Sequence, residues 1–246
     1  ISPNYSPTHS YDWCNSDSDP TPTSNNGHGT AAGGVAAAAG NNTIHVSGAA
    51  YDATLGGSTL IACWSPDSME ANALSFLNNE IDIYTNSWGP SDNGQTLSAP
   101  GPLMLAAFED DAYQGRNGLG NIITWAAGNG LTSNDNANYD GWANSRFTIA
   151  VSAITHYGEQ SYYSEPGANI LVAAHSNGDG EAITTTDIHD DPDISSDDAG
   201  YDNGNVTNSF GGTTSATPFA AGLIALILES NENLTWRDLQ HILVNS

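Results

Sequence analysis

Residues 211–230 read GGTTSATPFAAGLIALILES, and they are the most informative segment of the chain for its architecture. Glycines and hydroxyl residues come first, followed by small residues, Pro218 and a long apolar run. This pattern is typical of a tight turn that leads directly into a buried helix. The amino end of a helix offers free N–H groups and a positive dipole end to an oxyanion, so such a turn suits a nucleophile. The turn alone leaves two candidates for that nucleophile, Thr214 and Ser215.

The rest of the chain alternates short apolar segments with segments of helical periodicity. We predict strands at residues 80–88, 121–128, 147–154 and 169–174, and helices at residues 31–39, 68–77, 103–113, 215–230 and 235–244. This alternation predicts an α/β domain in which a mostly parallel sheet is covered by helices on both faces. Residues 183–208 are acidic and lack periodicity, so we expect a long surface loop there. No repeat or linker divides residues 1–246, which indicates one domain.

The charge balance is extremely acidic, with 28 Asp and Glu against 3 Lys and Arg and a formal net charge of −25. Such a surface repels phosphate backbones, so we expect no nucleic-acid partner. Divalent cations and cationic peptides are the more natural partners. No apolar run approaches the roughly 20 residues of a membrane span. The two cysteines, Cys14 and Cys63, could pair or remain free.

Two further motifs have the chemistry of a hydrolase. His28 lies between glycines at the start of a small-residue helix, where its imidazole can act as a general base. Asn129 lies between glycines after a predicted strand, where its side-chain amide can donate to a developing oxyanion. Either motif alone is more often an ordinary turn. Together with the turn at residues 211–215, the motifs follow one another as base, oxyanion donor and nucleophile. This combination indicates a hydrolase much more specifically than any one motif does.

Taken together, these motifs resemble the subtilisin-like serine proteases (peptidase S8), most closely the kexin and furin branch of proprotein convertases. The resemblance covers nearly the whole chain. Its segments are HGT at 28–30, SWGP at 87–90, GRNGLG at 115–120, GNG at 128–130, YDGWANS at 139–145, YYSE at 162–165 and PFAAGLIALILESNENLTWRDLQH at 218–241. It implies a three-layer subtilisin-like fold and an endopeptidase that cleaves after Arg or Lys.

The resemblance also implies a role for individual residues. His28 matches the general base and Asn129 the side-chain oxyanion donor. The matching substrate-binding residues are Asp92 and Asp140 in the first specificity pocket, Glu70 further along the cleft, and Trp88. Two carboxylates in one pocket suit a guanidinium, which accepts paired hydrogen bonds. Calcium is implied as a cofactor, with Asn42 matching one site and Asp92, Asp135 and Glu165 matching a second.

The chain departs from the family pattern at two places. The match puts the catalytic Asp, and the first core strand that bears it, before Ile1, and Asp12, Asp17 and Asp19 do not replace it. The family motif has Gly-Thr-Ser and three further residues before Pro, and this count from Pro218 puts Thr214 at the nucleophile's position. Ser215 lies roughly 100° further around the helix. A register slip that used Ser215 would turn the apolar helix face out of the core, so we favour Thr214.

Two hypotheses about function follow. The first is a calcium-dependent, kexin-like endopeptidase that cleaves after basic residues, completed by other segments of a larger parent protein. The second is a proteolytically inactive homologue that serves as a structural or binding domain of a secreted or surface assembly. His28, Asn129, Asp92 and Asp140 favour the first hypothesis, whereas Thr214 and the Asp expected upstream favour the second. Either hypothesis implies a secreted or cell-surface protein.

Overall fold

The computed structural model describes residues 3–22, 26–188, 200–202 and 204–246. The strands are β1 (Tyr11–Asp12), β2 (Ser58–Thr59), β3 (Ile83–Asn86), β4 (Ile122–Ala126), β5 (Thr148–Ile154), β6 (Ile170–His175), β7 (Ile183–Thr186) and β8 (Val206–Phe210). The α-helices are α1 (His28–Ala37), α2 (Asp67–Leu74), α3 (Pro102–Gly118), α4 (Thr213–Ser230) and α5 (Trp236–Val244).

The centre of the fold is a parallel sheet of four strands in the order β3-β4-β5-β6. In this register Ile83 pairs with Ile122 and Ile123 pairs with Thr148. All residues of β4 are buried, as expected for a strand covered on both faces. The predicted parallel sheet is therefore confirmed, and the strand bounds differ from those of the apolar segments by at most three residues.

Alternate residues of the sheet face two different helical layers. Ile122 and Val151 point to the side of α4 and α5, where they pack with Ile224 and Leu239. On the opposite face Trp125 packs with side chains of α2 and α3, among them Leu74, Met104 and Phe108. The three-layer α/β architecture predicted from the sequence is confirmed.

One prediction about the fold is wrong in part. Residues 183–208 are not a loop throughout, because β7 and β8 form an antiparallel hairpin at the two ends of this segment. The hairpin packs on α1, where the hydroxyls of Thr185 and Thr186 donate to the carbonyls of Ala31 and Thr30 at 2.8 and 2.7 Å. The strands are short and β-branched, and their signal is hidden by the acidic stretch between them. Residues 189–199 and 203 of the predicted loop lie outside the described residues.

The outer edge of β3 is free of strand partners within the described part of the chain, since β3 pairs only with β4. A groove of about 1840 Å³ runs along this edge. Residues 57–60, which include β2, form its other wall, and His28 also lines it. Unpaired N–H and C=O groups at a strand edge offer a surface on which a further strand can pair.

A disulfide joins Cys14 to Cys63, with a Cα–Cα distance of 5.8 Å. It therefore ties the loop after β1 to the loop after β2, a pairing that the sequence left open. Among the described residues no helix combines the length and the apolar character needed to cross a bilayer.

Candidate active site

The turn before α4 brings the candidate nucleophile and the candidate oxyanion donor together. Gly212 has φ +75° and forms the sharp entry to the helix. A Cβ on Gly212 would lie 3.1 Å from Asn129 Oδ1 and 3.5 Å from Thr214 Oγ1. Asn129 and Thr214 are thus neighbours across this glycine, and a larger residue would fill the space between them.

Ser215 points away from this space. Its side chain is fully buried, and its hydroxyl lies 2.6 Å from the Ser176 hydroxyl. Ser176 also donates to the Gly212 carbonyl at 2.7 Å, so the two serines brace the turn from the core side. Thr214 is half-buried, and it is the hydroxyl residue that faces the open side of the turn.

The carbonyl of Thr214 has an unusual partner because of Pro218. A helix interior would pair the Thr214 carbonyl with the N–H of residue 218, but proline has no N–H to give. The Ser87 hydroxyl donates to this carbonyl instead, at 2.9 Å. The SWGP segment that follows β3 is thereby joined to the first turn of α4.

Asn129 is held in one orientation. Its Oδ1 accepts from the Thr213 N–H at 2.8 Å and from the Thr213 hydroxyl at 3.1 Å. Because Oδ1 accepts both bonds, the Nδ2 group points away from Thr213. It has no acceptor within the described parts of the chain. An amide in this state can donate to an oxyanion at no cost in broken hydrogen bonds.

His28 is the first residue of α1 and is half-buried. Its ring meets the buried Phe210 edge-on, with centroids 6.2 Å apart, and Phe210 lies two residues before Gly212. Burial lowers the pKa of His28, which favours the neutral imidazole that a general base requires. No carboxylate of the described residues lies within 4.0 Å of a ring nitrogen of His28.

Asp92 and Asp140 line one small pocket together with residues of the Asn129 turn. The Asp140 carboxylate accepts from the backbone N–H groups of Trp142 and Ala143, at 2.8 and 3.3 Å. Burial raises the pKa of Asp140 to about 6, and the charges of Asp92 and Asp135 add to this effect. Neither Asp92 nor Asp140 has a cationic partner among the described side chains.

Glu70 contacts a group of tryptophan side chains. Its Oε2 accepts from Trp142 Nε1 at 3.3 Å, and burial raises its pKa. Trp142 in turn meets Trp88, with centroids 5.9 Å apart, and Trp88 contacts the buried Trp125 at 4.7 Å. Glu70 and Trp88 thus belong to one continuous surface of indole rings and a carboxylate.

Asp92, Asp135 and Glu165 form a cluster whose ligand atoms lie within 4.8 Å of one another. Burial raises the pKa of Glu165 to about 7, helped by the neighbouring acidic side chains. Three mutually close carboxylates without a basic partner match the oxygen-rich sites that calcium prefers. Asn42 is elsewhere, in an exposed loop, and its Oδ1 accepts from the Ile44 N–H at 2.9 Å.

Several residues that shape the site were not singled out in the sequence. They are Ser87, Ser176, Asn177, Phe210 and Thr213. Asn177 Oδ1 accepts from the Gly212 N–H at 2.8 Å, and Ser176 holds the Gly212 carbonyl. The signal that could have found Ser176 and Asn177 is their position at the carboxyl end of β6, where sites of parallel sheets form.

Comparison with known proteins agrees with this geometry. A sequence model of the subtilase family (Peptidase_S8) matches residues 1–246. Furin-like protease 1, isoform 1-CRR, of Drosophila melanogaster is 42% identical over 252 residues, covering 100% of this chain and 22% of that protein. Furin of Homo sapiens is 39% identical over 249 residues, covering 99% of this chain and 30% of that protein.

A solved structure shows the same fold. The serine protease of Aeromonas sobria superposes with a TM-score of 0.84 at 26% identity, over 97% of this chain and 46% of that chain. The chain spans less than a third of the length of the two curated relatives described above.

The family model, the two sequence alignments and the structural superposition each cover essentially all residues of this chain. The chain belongs to the subtilase family of serine proteases, in its kexin- and furin-like branch.

Proposed function

We propose that the chain is the peptidase domain of an endopeptidase that cleaves peptide bonds after basic residues. The observation that carries this proposal is the pair of carboxylates, Asp92 and Asp140, that line one pocket next to the Asn129 turn, where Asp92 Oδ2 accepts from the Asn129 N–H at 2.9 Å. The chain supplies two carboxylates without a cationic partner there, next to an amide that is free to bind an oxyanion. A guanidinium paired with these two carboxylates would place the adjoining carbonyl group near Asn129 and Thr214.

The residues of the site then have distinct roles. Thr214 Oγ1 attacks the carbonyl carbon, and His28 takes the hydroxyl proton. Asn129 Nδ2 donates to the oxyanion, and the C–N bond breaks as His28 returns the proton to the leaving amine. Water then attacks the threonine ester, with His28 again as base, and releases the acid and the Thr214 hydroxyl.

Thr214 makes this chemistry slower than it would be with serine. The extra methyl group restricts χ1 and crowds the space between the imidazole and the substrate carbonyl. The same residue supports a second candidate function, that of an inactive homologue that binds basic peptide segments without cutting them. Both candidates use the pocket of Asp92 and Asp140, and they differ only in what happens at residue 214.

The carboxylate that orients His28 has to come from a segment that reaches its imidazole. The groove along the free edge of β3 supports this, because it opens onto His28 and offers unpaired backbone groups to an extended chain. We therefore propose that a further strand of the parent protein pairs with β3 and presents an Asp to His28. In triads of this type, loss of the Asp alone costs a factor of order 10⁴ in turnover.

Calcium is proposed as a bound cation at Asp92, Asp135 and Glu165, where it would offset like charges and stiffen the pocket wall. Asn42, together with carbonyl groups of residues 39–46, is proposed for a second calcium site. The disulfide between Cys14 and Cys63 supports a secreted or cell-surface location, because disulfides persist in oxidising compartments.

The proposal is tested by cleavage of peptides that differ only in the residue before the scissile bond. With the full-length protein in calcium, replacing Arg by the neutral isostere citrulline should lower kcat/KM by about 100-fold, since a charge-assisted pair is lost. Asp140→Asn should lower kcat/KM for the Arg peptide alone, while Asp52→Asn, at an exposed acid outside the pocket, should change neither peptide. Equal rates for Arg and citrulline would refute recognition of basic residues.

A further inference from the structure

The turn that carries Asn129 is held by acidic residues on both sides. Asp92 Oδ2 accepts from the Asn129 N–H at 2.9 Å, and Glu165 Oε1 accepts from the Gly130 N–H at 2.8 Å. Backbone N–H groups of Glu165 and Asp135 also bond to this turn. The Glu165 N–H donates to the Gly128 carbonyl at 3.3 Å, and the Asp135 N–H donates to the Gly130 carbonyl at 3.0 Å.

Each of these carboxylates keeps acceptor capacity for a second partner. Asp92 Oδ1 and Glu165 Oε2 accept no hydrogen bond from any described residue. Asp135 uses its two oxygens for the N–H groups of Gly94 and Asn136, at 2.9 and 2.8 Å, and each oxygen retains a lone pair. The side chains of Asp92 and Glu165 therefore contact the turn with one oxygen each, and all three carboxylates lie close together with acceptor capacity to spare.

Electrostatics makes this arrangement sensitive to a cation. The ion pairs of the described residues involve Glu80 and Asp82, so none neutralises the cluster. Three like charges with ligand atoms inside 4.8 Å repel one another, and separation of Asp92 or Glu165 would pull on the N–H groups they hold. A divalent cation between the carboxylates removes that force.

We propose that Asp92 and Glu165 are positioning residues that couple the binding of a divalent cation to the placement of the Asn129 side chain. The inference rests on the cation site of the proposed function and goes beyond it in assigning the cation an effect on the oxyanion donor. The cation fixes both carboxylates through one set of lone pairs. The opposite oxygens then fix Asn129 and Gly130, so that Oδ1 stays bonded to Thr213 and Nδ2 stays available to an oxyanion.

The coupling is tested by ¹H–¹⁵N NMR during a titration with CaCl₂, alongside calorimetry of calcium binding. The side-chain signals of Asn129 are assigned by their loss in Asn129→Asp. If opening of the turn releases the cation, a calcium concentration of about ten times Kd slows amide exchange of Asn129 and Gly130 about tenfold. The Nδ2 signals should shift along the same binding curve.

Variants of the carboxylates test whether the response of Asn129 follows calcium binding. Asp92→Asn and Glu165→Gln keep an oxygen that can accept from the turn but each remove one charge from the cluster. They should weaken calcium binding tenfold or more, and the response of Asn129 should move to higher calcium by the same factor. Asp52→Asn, an exposed acid outside the cluster, should leave both curves unchanged.

The possible failures are distinct. Calcium binding without a change in exchange or in the Nδ2 signals would overturn the coupling and leave the cation site intact. Absence of calcium binding would overturn both the site and the coupling. Neither result bears on cleavage after basic residues, which the citrulline comparison tests by itself.

Discussion

The hydroxyl of Ser215 lies 2.6 Å from the hydroxyl of Ser176, in the core beneath the turn that leads into α4. The Ser176 hydroxyl is also within 3.0 Å of Tyr163 Oη and donates to the Gly212 carbonyl. Ser215 is therefore part of a buried network that supports the turn. The residue that resembles a spare nucleophile in the sequence has a supporting position in the structure.

Replacement of Ser215 should consequently affect stability more than catalysis. Ser215→Ala leaves Ser176 with its bonds to Tyr163 and Gly212, so unfolding in urea should show a loss of about 1 kcal/mol. Peptide cleavage by Thr214→Ser and by Thr214→Ser/Ser215→Ala should agree within about threefold, since a supporting hydroxyl is not consumed in the reaction. A loss of several hundredfold in the double variant would instead make Ser215 the nucleophile.

Thr213 is expected to act on catalysis through Asn129. In the Thr214→Ser protein, Asn129→Ala should lower kcat by about 10²–10³ with little change in KM, as for other oxyanion donors. Thr213→Val keeps the N–H bond to Asn129 but removes the hydroxyl bond, and we expect an intermediate loss of about tenfold. Thr213→Ser serves as the control, because it retains the hydroxyl. If Val and Ser behave alike at this position, Thr213 does not orient Asn129.

Asp111 should make the fold less stable as the pH rises. Its side chain is buried on α3, and burial raises its pKa from 3.8 to about 6, although hydrogen bonds from Asn78 and Ser75 oppose the shift. The pKa of Asp111 is higher in the folded protein than in the unfolded chain, so its protonation favours the folded state. This contribution to stability is complete below the unfolded-state pKa of 3.8 and is lost as the pH rises through about 6. A shift of about two units corresponds to at most about 3 kcal/mol.

The measurement compares wild type with Asp111→Asn in urea unfolding from pH 4 to pH 8. Asparagine retains an acceptor for Asn78 and Ser75 but does not ionise. The stability of the variant relative to wild type should therefore rise from pH 4 to about 6 and level off above about 7. Taking this difference cancels other groups, such as Asp140, that titrate in the same range. A flat difference across the range would contradict an elevated pKa of Asp111.

Salt should stabilise the whole domain. With a formal net charge of −25, the folded chain repels itself, and compaction brings those charges closer together. Raising NaCl from about 0.1 to 1 M shortens the screening length from about 10 to 3 Å. We expect the thermal midpoint to rise by several degrees, and tetramethylammonium chloride should act similarly if screening is the cause. A midpoint independent of both salts would rule out self-repulsion as a major term.

The sequence predicts the sheet and most helices well, because their signals are local and periodic. The final helix is an example, since the Thr235 and Asp238 pattern forms the capping box that stabilises its first turn. The hairpin of β7 and β8 was missed, because pairing across a long acidic insertion leaves no local signal.

In the candidate site, too, the residues with a local sequence signal were predicted and those without one were not. His28, Asn129 and Thr214 are visible in the sequence because each lies in a short motif of turn residues. Ser176 and Asn177 escape detection because their role depends on a contact with Gly212, 35 or more residues away in the chain. The Cys14–Cys63 disulfide is similar, as its partners become neighbours only once the loops after β1 and β2 are folded.

The most direct test of a peptidase site limited by Thr214 is the rate of cleavage of an Arg-containing fluorogenic peptide. The full-length wild type, Thr214→Ser and His28→Ala should be compared in calcium. We predict slow cleavage by wild type, an increase of tenfold or more in Thr214→Ser because the crowding methyl group is removed, and loss of cleavage in His28→Ala. Cleavage by Thr214→Ser with none by wild type, or wild-type cleavage that survives His28→Ala, would contradict this account.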